Sequence, residues 1–246
     1  MTGIAIQLYT LRATGEPVAA LLDRVSETPL EGVEFAGLGE TGPGQVVDAL
    51  DRTALAPAAA HVPMAELESD PGETARTYAR LGCETLVVPY LDGSHFEDRA
   101  AVRETARRLN RVADVLAEWG VDLCYHNHDH EFVRLGGRPA LELLADSLDE
   151  VGIELDVGWA AAAGVDPVAL LDRLESVPLV HVKDVDADGT PVELGEGELD
   201  ATACVAAARE AGAEWLVYEH DEPTDPLESL AHGARTLASL RDWTGD

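Results

Sequence analysis

The chain has 246 residues, of which 46% are hydrophobic, enough for a sizeable core. This length suits one large domain or two ordinary small ones. The formal net charge is −30. Such a charge excludes nucleic acids and anionic membrane surfaces as natural partners, because both repel an acidic protein. The sequence carries no basic, apolar leader of secretory type and no run of about 18 apolar residues, so we expect a cytoplasmic protein without membrane contact.

Charged residues and cysteines are used unevenly. Asp and Glu number 47 and are spread along the chain, which is typical of a solvated acidic surface suited to high salt. Lys183 is the only lysine and follows a histidine at a predicted strand end. This position of the single lysine has two explanations: chance in an Arg-rich composition, or a functional role. The cysteines lie far apart in apolar stretches without a CxxC motif, so we expect buried, unbridged thiols: Cys83, Cys124 and Cys204.

Apolar runs of strand length alternate eight times with amphipathic segments of helix length. The predicted strands, in chain order, are Ile4–Leu8, Gly32–Phe35, Leu55–Ala60, Thr85–Pro89, Val121–Tyr125, Ile153–Val157, Leu179–Val182 and Trp215–Tyr218. The predicted helices between and after them are Pro17–Glu27, Gly44–Arg52, Pro71–Leu81, Phe96–Trp119, Pro139–Leu148, Pro167–Leu174, Thr202–Ala211 and Pro226–Leu240. This alternation indicates parallel strands covered by helices. Eight units without a break, and no glycine-rich phosphate loop after the first strand, favour an α/β fold of one closed (β/α)₈ barrel, a single domain over residues 1–246.

Polar side chains collect at the predicted C-terminal ends of the strands, where barrels of this kind carry their active sites. In chain order they are Gln7, Tyr9, Glu34, His61, His126, His128, Asp156, Trp159, His181, Lys183 and Glu219. Strands five to eight thus end successively in a His, an Asp, a His and a Glu. We expect these four side chains to converge at one mouth of the barrel.

The set of His126, Asp156, His181 and Glu219 suits Mn²⁺, Co²⁺, Fe²⁺ or Zn²⁺ better than Ca²⁺, because it mixes imidazoles with carboxylates. Each residue alone could be a hydrogen-bonded structural group or a solvated one. Their coincidence on four consecutive strands favours a metal site. A bound metal would also remove the cost of burying such groups unpaired, which is several kcal/mol.

These motifs resemble the sugar phosphate isomerase/epimerase family, the xylose isomerase-like TIM barrels, along nearly the whole chain. The matching segments are Ile-Gln-Leu-Tyr-Thr-Leu-Arg (6–12), Tyr-His-Asn-His-Asp-His-Glu-Phe (125–132), Glu-Leu-Asp-Val-Gly-Trp (154–159), His-Val-Lys-Asp (181–184) and Glu-His (219–220). The resemblance implies one divalent metal, with Mn²⁺ favoured, held by Asp156, His181 and Glu219. The family's first Glu ligand is missing from its expected position. Either imidazole of His126 and His128 could reach the metal instead, because both point the same way from the strand. We favour His126 as the fourth ligand and His128 as a substrate contact, with Glu131 as a further alternative.

The resemblance also implies proton abstraction next to the carbonyl of a small sugar or polyol derivative, as in an isomerase or epimerase. Glu219 is one candidate base, and Glu131 or Glu34 is the other. Lys183 could protonate a developing alkoxide or leaving group, or simply pair with Asp184 or Asp156. The expected substrate contacts are Gln7, Glu34, His61 and Trp159.

Three alternatives use the same barrel. A metal-dependent keto-sugar or inosose dehydratase would need only one base. A non-catalytic sugar-binding barrel would need no metal, yet could keep Trp159 and Tyr9 for stacking on a sugar. An apurinic endonuclease conflicts with the net charge of −30. The sequence also leaves room for a homo-oligomer.

Overall fold

The eight predicted strands lie side by side in a computed structural model, which describes residues 2–243. They are β1 (Gly3–Gln7), β2 (Gly32–Phe35), β3 (Ala56–His61), β4 (Thr85–Val88), β5 (Asp122–His126), β6 (Val151–Asp156), β7 (Leu179–Val182) and β8 (Trp215–Tyr218). Each strand pairs in parallel with the next, and β8 pairs with β1 to close the barrel. The predicted (β/α)₈ fold is therefore confirmed. The ends of the predicted domain, Met1 and residues 244–246, lie outside the described residues.

Helices cover the outside of the barrel. Over residues 2–243 they are α1 (Val18–Ser26), α2 (Pro43–Thr53), α3 (Met64–Ser69), α4 (Pro71–Ala79), α5 (Arg99–Ala117), α6 (Ala140–Ala145), α7 (Val157–Ala162), α8 (Pro167–Leu171), α9 (Ala201–Glu210) and α10 (Pro226–Asp242). In that range no helix combines the length and the apolar character that a membrane crossing requires.

Some element boundaries differ from the predicted ones for local reasons. The helix predicted from Phe96 begins at Arg99, because the Asp98 carboxylate accepts the N–H groups of Ala100 and Ala101 and so caps α5. Helix α7 was not predicted. It follows β6 directly, since Asp156 ends the strand and accepts the N–H of Trp159 as the helix cap.

The inside of the barrel changes from apolar to polar along the strands. Small and apolar side chains fill its lower part, including Ala5, Cys124, Leu179 and Val217. Side chains two positions apart on a strand point the same way. The same inward direction two residues later therefore carries Gln7, His126, His181 and Glu219. The alternation of each strand thus places an ionisable or polar layer directly above the apolar floor.

All three cysteines are buried and free, as predicted, and none is bridged. Cys124 belongs to the barrel floor, while Cys83 and Cys204 pack between the strands and the helices. Burial raises the pKa of Cys83 and of Cys204 to about 12. These thiols are therefore core residues rather than reactive groups.

Candidate metal centre

The four predicted ligands meet at the C-terminal end of the barrel. His126, Asp156, His181 and Glu219 are all buried, and each offers a ligand atom within 4.8 Å of the others. We call these four residues the upper cluster. Asp156 ends β6 and Glu219 directly follows β8, so the closed sheet itself holds the groups together.

Lys183 adds a positive charge to the upper cluster. Its Nζ lies 2.9 Å from Asp156 Oδ2, 3.0 Å from Glu219 Oε2 and 2.7 Å from Asp221 Oδ2. Burial opposes the charged amine, but the three carboxylates outweigh it and hold the pKa of Lys183 above its usual value. Asp184, a predicted alternative partner, instead accepts backbone N–H groups of its own loop, from Val185, Gly195, Gly197 and Leu199.

The ionisation of the upper cluster reflects competition between burial and charge. Burial would raise the pKa of Glu219, but Lys183 and His181 outweigh it and hold that pKa well below the usual value. For Asp156 burial prevails, and its pKa is raised despite the attraction of Lys183. Asp156 Oδ2 accepts no hydrogen bond within the described structure. Its near neighbour is the Lys183 amine at 2.9 Å, so this oxygen is charge-paired although it accepts no well-directed hydrogen bond.

A second set of ionisable groups adjoins the upper cluster, and we call it the lower cluster: Glu34, His61 and Glu154. His61 Nε2 lies 2.8 Å from Glu154 Oε2 and 3.3 Å from Glu34 Oε1. Burial and the neighbouring charge of Glu34 oppose ionisation of Glu154, but His181 and His61 prevail and lower its pKa. In turn, burial opposes protonation of His61, and the two carboxylates overcome it and raise the pKa of His61 to about 10.

The lower cluster contacts the upper one through both histidine ligands. His126 Nδ1 lies 3.0 Å from Glu154 Oε2, and His181 Nε2 lies 2.7 Å from Glu34 Oε2. Glu34 and Glu154 are completely buried. Glu34 therefore contacts His181 and is not among the residues that line the pocket above the upper cluster.

A pocket of about 300 Å³ opens above the upper cluster. It is lined by Tyr9, His61, Pro89, Tyr90, His126, His128, Glu219 and Asp221. The predicted substrate contacts His61 and His128 and the candidate base Glu219 therefore reach the same space. The volume lies at the lower end of the range of roughly 300–1,000 Å³ for small-molecule sites.

The remaining predicted site residues surround this pocket. Trp159 stacks on His128 with ring centroids 5.8 Å apart, and Lys183 Nζ lies 4.7 Å from its ring. Gln7 is buried, with Oε1 accepting the N–H of Tyr9 and Nε2 left without a hydrogen-bond partner in the described structure. Burial, together with the charge of Lys183, lowers the pKa of His128 to about 3, so its ring is neutral at ordinary pH.

Glu131 lies to one side of the upper cluster. Its carboxylate accepts the Tyr125 hydroxyl at 2.6 Å and the backbone N–H of His128 at 2.9 Å. Burial raises its pKa even though these hydrogen bonds favour the charged form. The residue therefore orients the segment that carries His128.

A family model described as the xylose isomerase-like TIM barrel matches residues 72–240, well over half of the chain. The chain belongs to this family. The resemblance inferred from the sequence motifs is thereby confirmed.

Two curated proteins and one solved structure extend the comparison. The rhizopine catabolism protein MocC of Rhizobium meliloti is 36% identical over 162 residues, which are 56% of this chain and 50% of that protein. The inosose dehydratase of Geobacillus kaustophilus (strain HTA426) is 31% identical over 137 residues, 47% of this chain and 44% of that protein. The chain therefore spans about half the length of the curated relatives it matches.

The structural likeness extends over nearly the whole chain. A sugar phosphate isomerase/epimerase from Parabacteroides distasonis ATCC 8503 superposes with a TM-score of 0.84, covering 98% of this chain and 95% of that one. The two sequences are 20% identical. This likeness supports the fold of the xylose isomerase-like TIM barrel.

Two residues of this family member's site were missed from the sequence. Glu154 was overlooked because it lies within the apolar run of β6, although its position two residues before Asp156 predicts the same inward direction. Asp221 follows Glu219 by two residues and lies 2.7 Å from the Lys183 amine. The spacing of two along a strand was the available signal in both cases.

Proposed function

We propose that this chain is a divalent-metal-dependent isomerase or epimerase of small sugars or sugar derivatives, acting by proton abstraction next to a carbonyl. The observation that carries the proposal is the upper cluster. It places four buried donors, two imidazoles and two carboxylates, within 4.8 Å of one another beneath a pocket of sugar size. Burying such a set is costly unless a cation or other partners compensate it.

The donor set fits a metal of the Mn²⁺, Co²⁺, Fe²⁺ or Zn²⁺ kind, because imidazole and carboxylate ligands are combined. His126, Asp156, His181 and Glu219 would hold it, and we favour Mn²⁺. The charges support this fit, since Asp156, Glu219 and Asp221 share the single ammonium group of Lys183, and a divalent cation would offset the carboxylate charge that this group leaves unbalanced. When bound, the metal supplies Lewis-acid stabilisation of the negative charge that develops on substrate oxygen.

Glu219 is the residue we propose as the base. It lines the pocket, and its pKa is held below the usual range chiefly because Lys183 and His181 outweigh the effect of burial. An ionised carboxylate at this position can take a proton from a substrate carbon in the pocket. For epimerisation a second base is needed on the opposite face. Glu131 and Glu34 stay as candidates, though both are fully buried beside or beneath the pocket.

Lys183 is the acid that we propose for this site. Its ammonium group lies between Asp156, Glu219 and Asp221, and it can hold a proton for a substrate oxygen that gains negative charge. His128 is neutral and can donate or accept a hydrogen bond to a hydroxyl. Trp159, Gln7 and His61 stay as proposed substrate contacts around it.

A second candidate function is a metal-dependent dehydratase acting on a keto-sugar or inosose. The match to an inosose dehydratase favours it. The arrangement of one base that lines the pocket with one ammonium group also suits elimination of water, with Glu219 taking the proton and Lys183 protonating the departing hydroxyl. In both functions the first step is the same proton removal.

The experiment that tests the proposal is a metal analysis of gently purified protein, followed by chelation. We expect Mn, Co, Fe or Zn near one equivalent, and loss of activity toward sugars and inososes on chelation. Product mass then separates the two functions, because an isomer keeps the substrate mass and a dehydration product lacks one water. If the protein contains no metal, and chelation changes neither its sugar binding nor its stability, it would instead be a non-catalytic sugar-binding barrel.

A further inference from the structure

Within the lower cluster, Glu154 has no role in the chemistry proposed so far. Glu154 Oε2 lies close to three imidazole nitrogens at once, from His61 at 2.8 Å, His126 at 3.0 Å and His181 at 3.3 Å. We propose that Glu154 and Glu34 are positioning residues that fix the tautomers of His126 and His181, so that each ring offers its unprotonated nitrogen to the metal. This inference rests on the proposed metal site.

His126 contacts a different cluster with each ring nitrogen. Its Nδ1 lies 3.0 Å from Glu154 Oε2 below, and its Nε2 lies 3.9 Å from Asp156 Oδ2 above. A carboxylate can only accept a hydrogen bond, so Nδ1 carries the proton and donates it to Glu154. In the neutral ring, Nε2 is then the nitrogen with a free lone pair, and it faces the upper cluster.

His181 also contacts one cluster with each ring nitrogen, but the roles of Nδ1 and Nε2 are reversed. Its Nε2 lies 2.7 Å from Glu34 Oε2 and 3.3 Å from Glu154 Oε2, while its Nδ1 lies 3.1 Å from Glu219 Oε2. The Nε2–H therefore donates downward to the acids of the lower cluster. Nδ1 is the nitrogen left for a cation held beside Glu219. The two rings thus require opposite tautomers, and the lower cluster supplies both.

The geometry alone would also admit a cation among His61, His126, Glu154 and His181, because their ligand atoms lie within 4.8 Å of one another. However, His126 and His181 belong to both groups. Cations in both positions would require each of these rings to lose both N–H protons. With one cation above, the downward N–H groups instead find charged acceptors, which is the arrangement that orients metal-binding histidines in other proteins.

Burial makes this positioning effective. Glu34, Glu154 and His181 are completely buried, and His126 is nearly so. Hydrogen bonds to an ionised carboxylate are stronger in such surroundings than in water, and they resist rotation of the ring. Loss of a carboxylate partner of this kind lowers metal affinity by roughly 10–100-fold.

The test measures metal affinity and, independently, the tautomers of the imidazole rings. Mn²⁺ dissociation constants are measured by calorimetry for the wild type, Glu154→Gln and Glu34→Gln. The wild type labelled with ¹⁵N-histidine and loaded with Zn²⁺ is studied by long-range ¹H–¹⁵N NMR. We expect weaker Mn²⁺ binding, by roughly 10–100-fold, in both variants. The wild-type spectra should show His126 protonated at Nδ1 and His181 protonated at Nε2, and Glu154→Gln should change the His126 pattern.

A matched control is Glu193→Gln. Glu193 accepts hydrogen bonds from Tyr218 and Ser229 and contacts neither His126 nor His181. Its Mn²⁺ affinity should equal that of the wild type, so a loss specific to Glu154→Gln and Glu34→Gln supports positioning. If one variant fails to fold, the Mn²⁺ affinity of the other variant and the tautomers of the wild type still test the inference.

Three results would overturn the inference. The first is the opposite tautomers in the wild type, and the second is Mn²⁺ binding in both variants within roughly twofold of the wild type. The third is a second equivalent of metal that Glu154→Gln removes, since that would make the lower cluster a second metal site. A wild type that binds no metal overturns the proposed function and this inference with it. If the wild type binds Mn²⁺ and both variants bind it equally well, only this inference is overturned.

Discussion

Lys183 Nζ lies 2.9 Å from Asp156 Oδ2, so the chain's only lysine is paired with a carboxylate that we propose as a metal ligand. The same amine contacts Glu219 and Asp221 at 3.0 and 2.7 Å. The side chain of Lys183 is fully buried. The site therefore holds three carboxylates around one fixed positive charge, which links the stability of the barrel mouth to its chemistry.

Replacing Lys183 by Met tests that link. The variant keeps the side-chain volume but leaves the three carboxylates without their ammonium partner. Because removing one partner of a buried ion pair costs about 3–5 kcal/mol, we expect a clearly lower melting temperature in the metal-free protein. Mn²⁺ should recover part of the loss, since a bound cation replaces the missing charge and stabilises the folded state.

The control is Arg80→Met, which removes an exposed cation that forms no ion pair within residues 2–243. Its melting temperature should match that of the wild type. If metal-free Lys183→Met and the metal-free wild type have the same melting temperature, the ion-pair account is contradicted.

Asp156→Asn tests the metal ligand without removing the helix cap. An Asn side chain can still accept the Trp159 N–H, as Asp156 Oδ1 does at 2.8 Å. It lacks the negative charge that a divalent cation requires. We expect Mn²⁺ affinity, measured by calorimetry, to fall by more than the roughly 10–100-fold typical of an outer-sphere loss.

The corresponding control is Asp166→Asn, because Asp166 caps α8 by the same type of bond and is not part of the upper cluster. Unchanged Mn²⁺ affinity in Asp156→Asn, with Asp166→Asn equally unchanged, would remove Asp156 from the proposed ligand set.

Gly158→Ala tests the close packing that holds Lys183. A Cβ at Gly158 would lie 2.7 Å from the Lys183 carbonyl oxygen and 2.9 Å from its Cγ, so the strand end must shift. Overpacking of this kind costs about 1–3 kcal/mol. We expect a lower urea midpoint and a reduced turnover. Gly44→Ala is the matched control, because a Cβ there would meet no atom within 4 Å. Wild-type stability in Gly158→Ala would show that Lys183 is not held by this contact.

Acid should weaken metal binding. Ligand carboxylates must be ionised and ligand imidazoles must have a free nitrogen, so protons compete with the cation. The carboxylates of Glu154 and Glu34 outweigh burial and hold the pKa of His181 well above its usual value, so its metal-free ring is protonated at neutral pH. Mn²⁺ binding should therefore release about one proton from this ring, and the apparent affinity should rise with pH. Calorimetry in buffers of different ionisation enthalpy measures this release, and equal affinity at acidic and neutral pH would argue against His181 as a ligand.

The fold and the upper cluster could be predicted because both follow from local patterns. Apolar strand runs alternate with helices, and Asp156, His181 and Glu219 each follow or end such a run. The order of parallel strands then brings their ends to one mouth. Helix ends also depend on local contacts, as at Asp225, which caps α10 by accepting the N–H groups of Leu227 and Glu228.

The contacts of the lower cluster could not be predicted, because they join residues across the barrel. Glu34 and His181 are 147 positions apart, and their hydrogen bond forms only once β2 and β7, three strands apart in the closed barrel, both face its interior. Glu154 was hidden in an apolar run. The sequence indicated that Glu34 contacts substrate, whereas the structure buries it against His181; its role in substrate binding stays a prediction.

The most direct test of metal-assisted proton abstraction next to a carbonyl is deuterium incorporation. Wild-type protein with Mn²⁺ is incubated in D₂O with keto-sugars, aldo-sugars and inososes, and NMR follows the C–H position next to each carbonyl. We predict deuterium at one carbon of a turned-over substrate, lost on chelation and in Glu219→Gln. Turnover of a sugar that incorporates no deuterium and is indifferent to chelation would contradict the account.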